Sequence, residues 1–151
     1  MRLTLYQPDI PQNAGAILRL AACLGAGVDL IEPCGFVDDD RRLRRAGMDY
    51  IDHVALRRYE SWEKYRQLKP PGRLILLSSK AEIPYVDFVF QGDDSLLLGQ
   101  ESAGVPGSVR EVCDAAVTIP LHPGLRSLNV ALAAAIVLAE ALRQTQGLPR
   151  R

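Results

Sequence analysis

Three polar segments stand out in a chain that is otherwise rich in apolar runs: Pro11 to Arg19, Leu98 to Pro106, and Ile119 to Asn129. Each follows a stretch that reads as a β-strand, and each carries groups able to make bonds with a ligand. Glu101 offers a carboxylate between Gly99 and Gly104, whose missing side chains permit close approach of backbone to a bound molecule. Such a carboxylate can hold a cation, and Arg19 is a candidate partner. Asn13 and Asn129 offer amides, Ser127 a hydroxyl, and Arg126 a second guanidinium. Taken singly, each has an ordinary reading: Asn13 as a helix cap or first-turn residue, Arg19 as a solvated side chain, Glu101 as a loop acid, Ser127 as the cap of the last helix. Ligands of open α/β sheets bind beyond the carboxyl ends of strands, which is where all three segments fall.

The elements that must position them follow from periodicity. Arg2 to Tyr6 alternates as a strand, Pro8-Asp9-Ile10-Pro11 breaks it, and Gln12 to Gly25 carries apolar residues at helical spacing. Further strands are expected at Val28 to Ile31, Val54 to Leu56, Leu74 to Leu77, Ser95 to Leu98 and Ala115 to Ile119. Helices are expected at Asp38 to Gly47, from a Ser61 cap through Leu68, at Pro106 to Val112, and from Leu128 to Thr145 with Ser127 as cap. Strands that are continuous Leu/Ile/Val runs alternating with helices predict an α/β fold, a mainly parallel sheet flanked by helices on both faces. The last helix is apolar on nearly every side, so it should be buried on more than one face.

Composition narrows the class. A length of 151 residues predicts one domain, 1–151, able to keep a core without staples. Net charge is zero, so affinity for nucleic acid must come from local clusters. Cys23, Cys34 and Cys113 form no Cys-x-x-Cys pair and read as buried reduced thiols; His53 and His122 give no metal-ligand spacing, and no metal site is expected. No secretion signal or membrane span is read, which predicts a cytoplasmic protein. Gly25-Ala26-Gly27 follows a helix rather than a strand, so it is no dinucleotide fingerprint, and no Walker sequence occurs.

In order and spacing, Pro11-x-Asn13-x-Gly15-x-Ile17-x-Arg19, Gly99-x-Glu101-x-x-Gly104-Val105-Pro106 and Ile119-Pro120-Leu121-x-Pro123-x-x-Arg126-Ser127-Leu128-Asn129 resemble the three motifs of the SPOUT methyltransferases. Within that superfamily, Ile31-Glu32-Pro33-x-Gly35-Phe36 and Asp39 to Tyr50 resemble the small bacterial family that methylates the 2′-hydroxyl of the tRNA wobble nucleotide. That family often has asparagine where Ala16 stands and Gly-Pro-Glu-Thr-Arg where Gly99 to Ala103 stand.

The resemblance implies a deep C-terminal trefoil knot, which pattern arguments alone would not propose, a homodimer, and S-adenosylmethionine as cofactor. It implies cofactor contacts at Leu77, Gly99, Ile119, Leu121 and Ser127. It places Arg19 at the reacting hydroxyl, with Asn13, Glu101, Ser127 and Asn129 shaping the site. An arginine keeps its proton at any ordinary pH, so Arg19 is expected to orient the hydroxyl and an adjacent phosphate while the base stays open. Arg41, Arg42, Arg44 and Arg45, the one dense cationic cluster, are either a solvated helix face balanced by Asp38 to Asp40 or, with Arg126, tRNA-binding residues. Competing readings are 2′-O-methylation at another tRNA or ribosomal RNA site, and a non-catalytic knotted RNA-binding protein.

Overall fold

The computed structural model of the chain describes residues 1–36 and 41–151. In chain order the elements are β1 (Arg2–Tyr6), α1 (Pro11–Leu24), β2 (Gly27–Ile31), α2 (Arg41–Gly47), a 3-10 segment (Met48–His53), β3 (Leu56–Tyr59), α3 (Trp62–Leu68), β4 (Leu74–Leu77), β5 (Ile83–Pro84), a 3-10 turn (Tyr85–Asp87), β6 (Ser95–Leu98), α4 (Gly107–Glu111), β7 (Ala115–Thr118) and α5 (Val130–Gln144). The strands form one sheet in the order β3-β2-β1-β6-β4-β7-β5, and every pairing is parallel.

Alternation along the strands builds two cores. Leu3, Leu5, Ile75, Leu96 and Leu98 face one side, where they meet Ala14, Ile17, Leu18 and Ala21 of α1 and Ala134, Val137, Leu138, Ala141 and Leu142 of α5. Leu74, Leu76 and Leu97 face the other, with Tyr6, Tyr59, Tyr65 and Val109. Residues buried on both faces of a parallel sheet need not alternate with polar ones, which is why these strands read as unbroken apolar runs.

Local chemistry sets the helix ends. Pro11 opens α1, where its missing N–H costs nothing, and Gly25 closes it at φ 73° with its N–H donated to Ala21 O. Ser61 caps α3 as expected, accepting from Lys64 N at 3.1 Å. The last helix departs from expectation: Asn129, not Ser127, is its cap, its Oδ1 accepting from Ala131 N at 2.8 Å and Leu132 N at 3.3 Å. The chain turns into the helix two residues later than the sequence suggested, which leaves Ser127 in the preceding loop. Asn13 lies inside the first turn of α1, whose cap position is Ile10.

Other differences are smaller. The third strand runs Leu56–Tyr59 rather than Val54 to Leu56, and the short β5 was not expected. The expected helix from Asp38 is seen as α2 from Arg41; Asp38 to Asp40 lie outside the described residues. Cys23 is exposed, and Cys34 and Cys113 are half-buried; all are free thiols, so burial was overestimated. Against the chain itself α5 buries a single face, and Leu132 and Ile136 remain 59% and 37% exposed. Among the described residues no helix is long and apolar enough to cross a membrane, and no cluster of metal-ligating side chains occurs.

Candidate functional site

The register places the candidate loops side by side. Leu5 pairs with Leu98, Leu98 with Leu77, and Leu77 with Val117, so four adjacent strands reach their carboxyl ends in one row. The chain leaves β1 toward β2 and β3 on one side and returns to build β4, β6 and β7 on the other. That reversal opens a crevice above the carboxyl ends, the usual ligand position in such sheets.

A cavity of about 410 Å³ lies over the carboxyl ends of β4, β6 and β7, on one side of that reversal, a volume within the common range for small-molecule sites of roughly 300–1,000 Å³. Leu77, Gly99, Ile119, Leu121 and Ser127, drawn from the end of β4 and the loops after β6 and β7, all line it. Leu98, Val130 and Ala133 add apolar wall, and Gln100, Ser102 and Thr118 add neutral polar groups. The wall at Gly99 is held by a tight loop: Gln100 N donates to Gly104 O at 2.9 Å and Gly104 N to Gln100 O at 2.8 Å. A Cβ on Gly99 would stand 2.6 Å from the Gly104 carbonyl carbon, and Gly104 itself sits at φ 65°. Both glycines are therefore required by the backbone path.

Beside the cavity, a chain of hydrogen bonds ties the three polar segments together. Asn129 Nδ2 donates to Asn13 Oδ1 at 2.9 Å, and Asn13 Nδ2 donates to Glu101 Oε1 at 3.3 Å. Asn129 thus serves twice, its Oδ1 capping α5 and its Nδ2 fixing Asn13. Glu101 takes Asn13 and the Asp9 amide, at 3.4 Å, as partners in place of the Arg19 expected from sequence.

Asp9 is a residue that sequence reasoning treated only as a strand breaker. Its Oδ1 accepts from Glu101 N at 3.3 Å and its Oδ2 from Ser102 Oγ at 2.5 Å, and its carboxyl shares a hydrogen bond with that of Glu101. Burial, and then the Asp9 carboxyl, push Glu101 above its ordinary value; the bond from Glu101 pulls Asp9 below its own. The two carboxyls therefore titrate as a pair, with Glu101 holding its proton the more tightly. Its position directly after β1 was the signal that could have found Asp9.

Arg19 lies elsewhere. It is exposed on α1, about 9 Å further along the helix axis than Asn13, with its guanidinium 5.1 Å from the centre of the Tyr50 ring. Tyr50 follows α2, whose Leu43 and Gly47 are buried while Arg41, Arg42, Arg44 and Arg45 are exposed. Gly15 makes this pairing of helices close: a Cβ there would collide with Leu43 O and lie 2.8 Å from Ala46 Cβ. The α2 arginines and Arg19 therefore belong to one cationic region alongside α1, while Arg126 is exposed in the loop between β7 and α5.

Comparison with known proteins identifies the family and the fold. The family model described as the SpoU rRNA methylase family matches residues 1–139. A tRNA (cytidine(34)-2′-O)-methyltransferase of Beijerinckia indica is 59% identical over 150 residues, covering 98% of this chain and 94% of its own. A solved structure described as giving insights into the 2-OH methylation of C/U34 on tRNA superposes with a TM-score of 0.89 at 41% identity, over 95% of this chain and 89% of the other. The SpoU methyltransferase AviRb from Streptomyces viridochromogenes, solved in complex with AdoMet, gives a TM-score of 0.82 at 31% identity, over 95% of this chain and 57% of the other.

Proposed function

This chain belongs to the SpoU rRNA methylase family, and from that premise we propose that it methylates the ribose 2′-hydroxyl of the wobble nucleotide, position 34, of tRNA, using S-adenosylmethionine. The observation that carries this reading is the cavity whose wall comes from the β4, β6 and β7 loops and whose flank is the Asn129–Asn13–Glu101 chain. The donor set fits the cofactor: apolar strand ends suit an adenine, and a loop kept free of Cβ atoms at Gly99 leaves backbone groups for its ribose. Leu77, Gly99, Ile119, Leu121 and Ser127 would hold it.

S-adenosylmethionine supplies an activated methyl group on a sulfonium, so no covalent enzyme nucleophile is needed. The protein's own task is to align the hydroxyl and to accept its proton. Asn13, fixed from both sides, presents a rigid amide to that position. Arg19 orients the incoming nucleotide through its planar fork. Glu101 holds Asn13 from the side opposite Asn129. The arginines of α2, with Arg126, meet tRNA phosphates.

The exposed Leu132 and Ile136 beside the buried face of α5 support a homodimer, in which a second copy covers them. The close of the chain through α5 is read as the trefoil knot of the SPOUT fold, and the site of action as the cytoplasm, where tRNA is found. No metal is assigned a role.

The test is direct. Incubation of the protein and labelled cofactor with total tRNA from cells lacking the enzyme should place one new ribose methyl at nucleotide 34, mapped by mass spectrometry. Label confined to ribosomal RNA would overturn the substrate.

A further inference from the structure

The cavity wall contains two charged residues, Lys80 and Arg110, and no carboxylate. They come from different elements, Lys80 from the loop after β4 and Arg110 from α4, and a single side chain organises both. Ser78 Oγ accepts from Arg110 Nη2 at 2.9 Å and from Lys80 N at 3.1 Å. The guanidinium is thereby tethered over the end of β4, on the turn that presents Lys80.

Neither cation meets an acid. Among the described residues, Arg2, Arg73 and Arg143 each lie 2.8 Å from a carboxylate oxygen, whereas Arg110 and Lys80 have no carboxylate within ion-pair distance. Uncompensated positive charge in a concave, partly apolar wall selects an anionic group of the occupant and repels cationic ones. A sulfonium nucleoside carrying an amino-acid tail has one anionic group, its α-carboxylate. Its sulfonium and ammonium would be disfavoured at this corner, where the wall carries charge of their own sign.

We propose that Lys80 and Arg110, organised by Ser78, form a carboxylate subsite that fixes the cofactor's amino-acid tail. This rests on the methyl-donor reading above and adds to it the direction in which the donor lies. Arg110 gives the planar, two-point contact and Lys80 the point charge. The same chemistry would accept a tRNA phosphate, and the experiment separates the two.

Calorimetry on the full chain uses two probes: S-adenosylhomocysteine, which has the tail, and 5′-methylthioadenosine, which keeps the nucleoside and thioether but lacks it. Arg110→Gln combined with Lys80→Met should weaken S-adenosylhomocysteine by about tenfold or more, the loss expected for charge-assisted bonds. It should leave 5′-methylthioadenosine within about twofold, a span too small to reflect a lost bond. Arg110→Lys should recover only part of the loss. Equal weakening of both probes, or no weakening of either, overturns the subsite, as does a loss confined to tRNA affinity, which would assign the cations to a phosphate. Wild-type protein that binds neither probe overturns the methyl-donor reading and the subsite together; wild-type protein that binds both, with variants that lose nothing, overturns the subsite alone.

Discussion

The two edges of the sheet use polar residues in opposite ways. At the amino edge, charges are consumed. Asp94, fully buried before β6, accepts from Arg73 Nε at 2.9 Å, Arg73 Nη2 at 2.8 Å and Gln91 N at 2.8 Å. Asp114, before β7, accepts from Leu74 N at 2.7 Å, and buried Asp29 takes both a 2.9 Å and a 2.8 Å bond from Arg2. At the carboxyl edge, groups are held but left able to act. The side chains of Asn13, Glu101 and Arg110 are held by hydrogen bonds, Lys80 is held by its backbone alone, and all four keep further capacity in or beside an open cavity. Satisfied ion pairs lock the strand starts together; partly satisfied groups at the strand ends are what a ligand can complete.

By that contrast, damage at the two edges separates into stability and activity. The largest expected loss is at the amino edge: Arg73→Ala leaves the buried Asp94 without its ion partner and should cost about 3 kcal/mol or more in urea unfolding. Cofactor affinity measured well below the melting transition should survive. A variant of unchanged stability would break the comparison. Next is Arg19→Ala, which should lower methyl transfer by about 10²–10³-fold, the usual effect of losing one aligned donor, with melting temperature and cofactor binding unchanged. Arg19→Lys keeps the charge but not the fork, so near-normal turnover in that variant would sink the orienting role.

A smaller effect is expected on the cationic face. Arg41→Ala with Arg44→Ala removes two phosphate contacts, and the slope of log affinity for tRNA against log salt should shrink by about 1.4. Unchanged tRNA affinity at low salt would return α2 to a merely solvated face.

The smallest is a pH effect at the Asp9–Glu101 pair. Glu101 is raised in the fold, so its stabilisation is full below the ordinary carboxylate value and is lost as pH rises through the raised one; Asp9 is lowered, so its share is present above its ordinary value and lost as pH falls through the lowered one. The contact between the two loops is therefore firmest between those two titrations. Asp9→Asn removes the second cause of the Glu101 shift and leaves burial, so Glu101 should titrate lower but not return to its ordinary value. An NMR titration of the Glu101 carboxyl carbon reads this, and an unchanged midpoint would dissolve the pair.

Much of the framework was legible because it is written in local pattern. Leu74-Ile75-Leu76-Leu77 and Ser95-Leu96-Leu97-Leu98 are strands wherever both faces are covered, and Pro11 and Gly25 punctuate α1 by their own dihedral preferences. Leu77, Gly99, Ile119, Leu121 and Ser127 are expected at a cofactor from motif resemblance, and the structure gathers all of them around one cavity. The choice of cap for α5 was not legible, because Ser127 and Asn129 are both competent caps and the path of the loop decides between them. Nor was the partner of Glu101, since Asp9 and Arg19 are both near it in motif order and only one is near it in space.

Element types, apolar faces and the kinds of group available at each strand end are set by local sequence, because those depend on neighbours a few residues away. The tertiary structure alone decided which groups meet: Asp9 with Glu101 across 92 residues, Asn13 with Asn129 across 116, and Arg110 with Ser78 across 32. Those meetings follow from the order in which β1, β6, β4 and β7 lie side by side, and strand order is a property of long-range packing that no local periodicity encodes.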